Sequence, residues 1–278
     1  MFISTISTLS SKNWKKQIEI EKEFLGHIDL NSFKKHLKKL TERPHVVGSK
    51  ENEKVQNYMA NVMKNAGFEV KNYPYDLYLP NKPGSSLIEI VTPSREILNQ
   101  KEDIIISDPY SNDPLLWKGW NAFSGSGDIT SNVVYANYGR KEDFEKLKEL
   151  GIEIKGKIVI ARYGGNFRGF KAKFAESFGA SGLIIYTDPK DNGFTKGLIY
   201  PEGPYYNKST IQRGSLLTTN FTGDPLTPFE PALPLDGKKK IERLDPKKAQ
   251  LHKIPVTPIS YGEAEKILGK MKGSAVPT

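Results

Sequence analysis

The chain has 278 residues, a net charge of +9 and no cysteine, which excludes disulfides, thiolate metal sites and cysteine nucleophiles together. A hydrophobic share of 37% with 10% aromatics can drive collapse, so a disordered chain is excluded and one large domain or two modest ones can form. The positive charge is interleaved with acids, as in residues 141–148, and the densest basic runs, 34–39 and 238–248, carry no aromatic stacking series and no base-reading motif; nucleic acid is not an expected partner. No stretch nears the ~20 apolar residues of a bilayer span. The opening residues 1–11 are too short and polar for a clear signal peptide.

Taken in chain order, Trp14, Ile18, Ile20 and Phe24 fall near one face of a first helix. Asp29 or Asn31 can cap a second, which carries Phe33, Leu37 and Leu40 and stops before Pro44. Ser49, with Glu51 and Glu53 in the first turn, starts a third helix bearing Val55, Tyr58, Met59, Val62 and Met63, and Gly67 ends it. Residues 68–75 alternate like an edge strand, with 87–91 as partner across the turn at 81–84. A turn-rich passage, 107–127, leads into a second unit. There the expected order is strand 133–138, helix 141–150, buried strand 157–161, helix 170–178 and strand 183–186, with Gly151 and Gly179 closing the helices. Short apolar strands alternating with helices argue an α/β unit around a central sheet. Residues 188–234 read as long ordered loops, followed by a strand at 254–259 and a last helix at 261–271 ended by Gly273.

The chemistry is notable for what it lacks. His27, His36, His45 and His252 form no metal-ligand pair, and a hydrolytic metal site needs about three protein ligands and an open position. There is no G-x-S-x-G elbow and no P-loop, and the glycines of 164–169 do not make a dinucleotide fingerprint. What remains is the turn from strand 158–163 into the next helix, where first-turn N–H groups and Arg168 can hold an anion. Arg168 has two readings, a planar fork for a carboxylate or a member of an internal salt bridge, and Arg213 in Arg213-Gly214-Ser215 has the same two. The run 223–228 suits a rigid turn or part of a calcium site.

Several motifs in series carry a resemblance. Residues 157–164 (Lys-Ile-Val-Ile-Ala-Arg-Tyr-Gly), then Phe167-Arg168-Gly169, Gly179-Ala180, Tyr186-Thr187-Asp188-Pro189, Gln212-Arg213-Gly214 and the Gly-Asp-Pro-Leu-Thr-Pro of 223–228 resemble the protease-associated (PA, apical) domain of the glutamate carboxypeptidase II family. Members are also called N-acetylated alpha-linked acidic dipeptidases or folate hydrolases. Residues 43–49 resemble the family's early peptidase segment, and 254–260 and 270–275 match it again, so the likeness runs in order from about residue 14 to the end.

The resemblance implies an extracytoplasmic zinc exopeptidase that releases C-terminal residues, often glutamate, and works as a homodimer with two zinc ions and one calcium. The zinc ligands, the general base and the dimerisation domain match no residue of this chain. The expected fold class is α/β: the start of a zinc-exopeptidase α/β domain at 1–80, incomplete, followed by a PA α/β domain with long loops at 81–278. By the same resemblance Arg168, with Phe167, lies in the pocket for the substrate's C-terminal residue, and Ser215 stands where the family has an asparagine. Thr227 and Glu230 fall at calcium-contacting backbone carbonyls. The chain is thus expected to be the N-terminal, substrate-lid part of a peptidase, acting on peptides with an acidic C-terminus and hydrolysing nothing by itself. A non-catalytic receptor-like relative and a stand-alone peptide-binding PA module remain open as alternatives.

Overall fold

The computed structural model describes residues 11–273; the opening segment weighed as a signal and residues Ser274 and Ala275 of the closing motif lie outside the described residues. The chain divides into two compact units, one ending at Phe68 and the other starting at Glu69.

The first unit is helical, as its periodicity requires. It holds α1 (Ser11–Gly26), α2 (Leu30–Thr41) and α3 (Lys50–Asn65). Asp29 caps α2 by accepting from the amides of Asn31 and Ser32, at 2.9 and 3.1 Å, and Ser49 caps α3 by accepting from Asn52. Gly67, at φ +89°, takes the left-handed turn that follows α3. The helices bury little of their apolar stripe: α2 and α3 contain no buried residue, and Phe24, Phe33 and Leu37 are exposed.

The second unit opens differently from the expectation. Residues 68–75 form no strand, because Pro74 has no N–H to give a ladder and Tyr73 and Tyr75 point to solvent. The backbone just beyond is held by the long loops instead, with the Asp76 amide bonded to the Ala232 carbonyl at 2.9 Å and the Tyr78 amide to Asp224 Oδ1 at 2.7 Å. The segment 87–91 supplies β1 (Glu89–Ile90), whose antiparallel partner is the following β2 (Glu96–Ile97). Arg95 closes that pair with a two-pronged contact to Glu89.

Beyond β3 (Asn121–Ala122), the α/β rhythm holds. The strands β4 (Val133–Tyr135), β5 (Ile158–Arg162) and β6 (Gly182–Tyr186) alternate with α4 (Lys141–Glu149) and α5 (Arg168–Ser177). A four-residue turn α6 (Pro189–Asn192), the strand β7 (Gly214–Ser215), β8 (Val256–Ile259) and α7 (Tyr261–Leu268) complete it. The main sheet runs β4-β5-β6-β8, all parallel, while β3 and β7 form a separate parallel pair. Strand alternation sorts the core onto two faces. Val159, Ala161, Leu183 and Ile185 join Phe144, Leu147, Ala172 and Ala175 of α4 and α5. Ile160, Ile184, Tyr186 and Ile259 join Ala264 and Ile267 of α7. Both faces of the sheet are covered, as a parallel sheet demands. One boundary matters for the site: α5 begins at Arg168, two residues before the expected 170, so Arg168 is the first helical residue.

Candidate functional site

The turn leaving β5 runs through Tyr163, Gly164, Gly165, Asn166 and Phe167 into Arg168. Two glycines allow this approach. At Gly214 a side chain would meet the Arg168 guanidinium, with Cζ only 2.5 Å and Nε 2.9 Å from a Cβ built there. At Gly169 it would meet Thr218 Cγ2 at 2.6 Å and the Phe167 ring at 2.7 Å. The guanidinium therefore packs against the backbone at Gly214, with Cζ 5.6 Å from the Tyr163 ring centre and 5.5 Å from that of Phe167. It makes no ion pair among the described residues, and its Nε is buried without a hydrogen-bond partner there.

The floor beneath it is fastened. Tyr163 donates its hydroxyl to the Gln212 carbonyl at 2.8 Å and accepts from Asn121 Nδ2 at 3.2 Å. Asn121, 4% exposed, also donates to the Gly214 carbonyl at 3.2 Å, while its Oδ1 has no partner among the described residues. Burial pushes the Tyr163 hydroxyl above the usual phenol range, opposed by the Asn121 hydrogen bond and the Arg168 charge. Ser215 stands next to Gly214 in β7 and is partly buried; its Oγ accepts from the Leu217 amide at 3.1 Å. Phe167, 41% exposed, meets Phe170 edge-on at 6.2 Å.

Arg213 resolves the other way. It is tied two-pronged to Glu102 at 2.9 and 2.8 Å and also donates to the carbonyls of Ile211 and Trp117. Thus Arg168 lies against the backbone at Gly214, next to Ser215 in β7 and with the Phe167 ring 5.5 Å away, while Arg213 is a structural cation. Tyr163, Asn121 and Lys171 belong to the same neighbourhood and were not singled out from sequence. A lysine at 171, three residues past Arg168 and next to the buried Ala172, was the available sign. Its side chain is fully buried, and desolvation draws its pKa down to about 7, countered by Asp143.

The metal residues fare differently. The carbonyls of Thr227 and Glu230 both face Gly223, at 2.5 and 2.9 Å from a Cβ built there, and the Thr227 hydroxyl donates to the Glu230 carbonyl at 3.1 Å. Two carbonyls fall short of the six to eight oxygens calcium takes. Among the described residues no group of three or more His, Cys, Asp or Glu could hold a metal ion. His36 Nδ1 is bonded to the Tyr58 hydroxyl, His45 Nδ1 to the Arg43 carbonyl, and His252 lies between Glu176 and the Leu216 carbonyl. No helix of the described residues is long and apolar enough to cross a membrane.

Comparison with known proteins adds three findings. The PA domain model matches residues 126–224. A glutamate carboxypeptidase 2 homolog of Caenorhabditis briggsae is 35% identical over 269 residues, 92% of this chain and 34% of that protein, and the mouse aminopeptidase NAALADL1 is 29% identical over 99% of this chain and 37% of its own length. The chain thus spans about a third of the length of the curated relatives it matches. Among solved structures, BSAP, a zinc aminopeptidase from Bacillus subtilis, overlays with a TM-score of 0.38 at 16% identity, covering 84% of this chain and 39% of that one.

Proposed function

This chain belongs to the glutamate carboxypeptidase family of peptidases and carries its PA domain, and on that premise we propose that it covers the substrate cleft of a peptidase and grips the C-terminal residue of an acidic peptide through Arg168. One observation carries this: a guanidinium held at a helix start, flanked by two aromatic rings and lacking any carboxylate among the described residues. A cation already desolvated on one side and fixed in a fork geometry binds a carboxylate through two parallel hydrogen bonds. The start of α5 adds positive potential, and the Phe167 ring excludes water from one side. Ser215 offers a short hydroxyl nearby, in place of a longer amide.

What this chain's residues do in such a reaction is bind and orient. Zinc in the whole protein would supply an activated water, but the described residues here hold no ligand set for it. Thr227 and Glu230 contribute two carbonyls toward a calcium site that needs further oxygens. A homodimer acting outside the cytoplasm belongs to the same proposal.

Titration with L-glutamate, followed through the arginine Nε–H resonances of the chain, tests the grip. We expect one resonance, absent from Arg168→Met, to shift with a dissociation constant on the order of 1–10 mM. No shift at that resonance would remove the proposal. Incubation of the purified chain with an N-acetyl-aspartyl-glutamate peptide should release no glutamate; measurable release would contradict the assignment of a covering role.

A further inference from the structure

The helix that presents Arg168 does not cap itself. Its N-cap residue is Phe167, whose side chain accepts nothing from the first-turn amides. Lys171, one turn in and fully buried, works from the opposite direction. Helical side chains lean toward the N-terminus, so its stem runs back over the start of α5. There Nζ donates to the Gly164 carbonyl at 2.6 Å, to Asn166 Oδ1 at 2.6 Å and to the Tyr138 carbonyl. An ammonium has three N–H donors, and three acceptors stand around it.

The surroundings are shaped for that stem. A side chain at Gly139 would come within 3.2 Å of Lys171 Cβ and 3.3 Å of Cγ, and Gly139 takes φ +61° besides. Gly165 sits against the Tyr138 ring, and its carbonyl accepts from Arg140 Nε at 3.1 Å. The charged groups facing Lys171 are Asp143 and Arg140 at the start of α4, Arg162 at the end of β5 and Asp191 in α6. None of them is paired with it, so the ammonium is held by neutral oxygens of the two turns that follow β4 and β5.

We propose that Lys171 is the positioning residue of the Arg168 grip, an internal strut whose ammonium locks the 164–167 turn onto α5 and so fixes where the guanidinium points. The inference rests on the reading of Arg168 as a carboxylate grip. A fully buried ammonium is expensive to keep unless each N–H is matched. Its three acceptors lie in the two turns ahead of Arg168, so the charge is used to order that corner of the fold. A neutral amine would offer one donor fewer, and an apolar isostere none.

The test compares the chain with Lys171→Met and Asn166→Ala by amide hydrogen exchange, by the Arg168 Nε–H resonance and by L-glutamate titration. The amides of Asn166 and Phe170, bonded to the Gly164 and Phe167 carbonyls, are the reporters. In Lys171→Met they should exchange about ten-fold faster, while β5 and β6 keep their protection. The Arg168 Nε–H resonance should move and glutamate should bind about ten-fold more weakly, effects that simple loss of packing elsewhere would not produce. Unchanged exchange at both amides together with an unmoved Arg168 resonance overturns the proposal. Should Lys171→Met fail to fold, Asn166→Ala decides: it removes one acceptor from an intact ammonium, and the same two reporters must quicken or the strut is wrong. Should the unaltered chain bind no glutamate, the grip reading fails by itself, and the strut still stands or falls on exchange and on the arginine resonance.

Discussion

Two arginines of the same unit, each followed by a glycine, one opening α5 and the other just ahead of β7, have opposite surroundings. Arg213 has a carboxylate, Glu102, at 2.8 Å and two carbonyls besides; Arg168 has the Gly214 backbone and two aromatic rings, and no carboxylate among the described residues. A half-buried cation whose counter-charge is built in contributes to holding loops together. One whose counter-charge is absent contributes little to folding and, on the proposed reading of Arg168, is left for a ligand. The fold thus assigns different work to two residues that look alike in sequence.

The sharpest way to break that comparison is to strip each site in turn. Glu102 accepts from both Arg213 and the Ile211 amide, so Glu102→Ala leaves a partly buried guanidinium with no counter-charge, held only by the Ile211 and Trp117 carbonyls, and an amide without its acceptor. Urea unfolding should register a loss of about 2 kcal/mol, between the values for exposed and for buried pairs, because both side chains keep roughly a fifth of their surface in water. Arg168→Met removes no ion pair and should stay within about 0.5 kcal/mol of the parent. Equal losses in the two variants would mean that Arg168 is as structural as Arg213.

The second test uses pH and the cation that stands beside Arg168. Lys171 sits near 7 in the fold, drawn down by desolvation, with Asp143 and Asp191 favouring its proton and Arg140 and Arg162 opposing it; the unfolded chain keeps the ordinary 10.5. Between those values the unfolded state binds the extra proton, so stability rises as pH goes up through the window and is lowest below it. Unfolding at pH 7 and pH 9 should differ by ~1–2 kcal/mol more in the parent than in Lys171→Met, after discounting for the hydrogen bonds that favour the charged form. Glutamate affinity should move the other way, falling as the strut loses its proton. Parallel rise of both would show that Lys171 does not order the Arg168 turn.

What could be foreseen from sequence follows the same division. The order of strands and helices from 133 to 186 was legible because each strand is a short apolar run and each of the two helices ends on a glycine in the left-handed region, Gly151 after α4 and Gly179 after α5. The helices up to Phe68 were legible from caps, Asp29 and Ser49. The strand expected at 68–75 failed because alternation says nothing about whether a partner lies alongside, and here the long loops take the neighbouring hydrogen bonds. At the site, Arg168 was visible as a residue type in a strand-to-helix turn, but its freedom was not, since Glu102 is far from Arg213 in sequence and nothing local says which arginine it takes. Lys171 was hidden for a related reason: lysine on a helix is ordinarily solvated, and only the fold shows the three oxygens that receive it.

The smallest expected effect lies at Ser215, where the comparison can be sharpened rather than broken. Among the described residues its Oγ accepts only from the Leu217 amide, a local turn bond across two residues, so Ser215→Ala should lower stability by about 0.5 kcal/mol or less. Ser215→Asn puts a longer amide next to the backbone on which Arg168 rests. If that hydroxyl sets the polar reach of the pocket, the asparagine should improve glutamate affinity by a few-fold, on the order of 1 kcal/mol, while the affinity for an apolar amino acid such as L-leucine stays level. A gain for both ligands would trace the change to a shifted Arg168 rather than to a new hydrogen bond. No change for either would place Ser215 outside the gripping surface and leave Arg168 with Phe167 alone to define it.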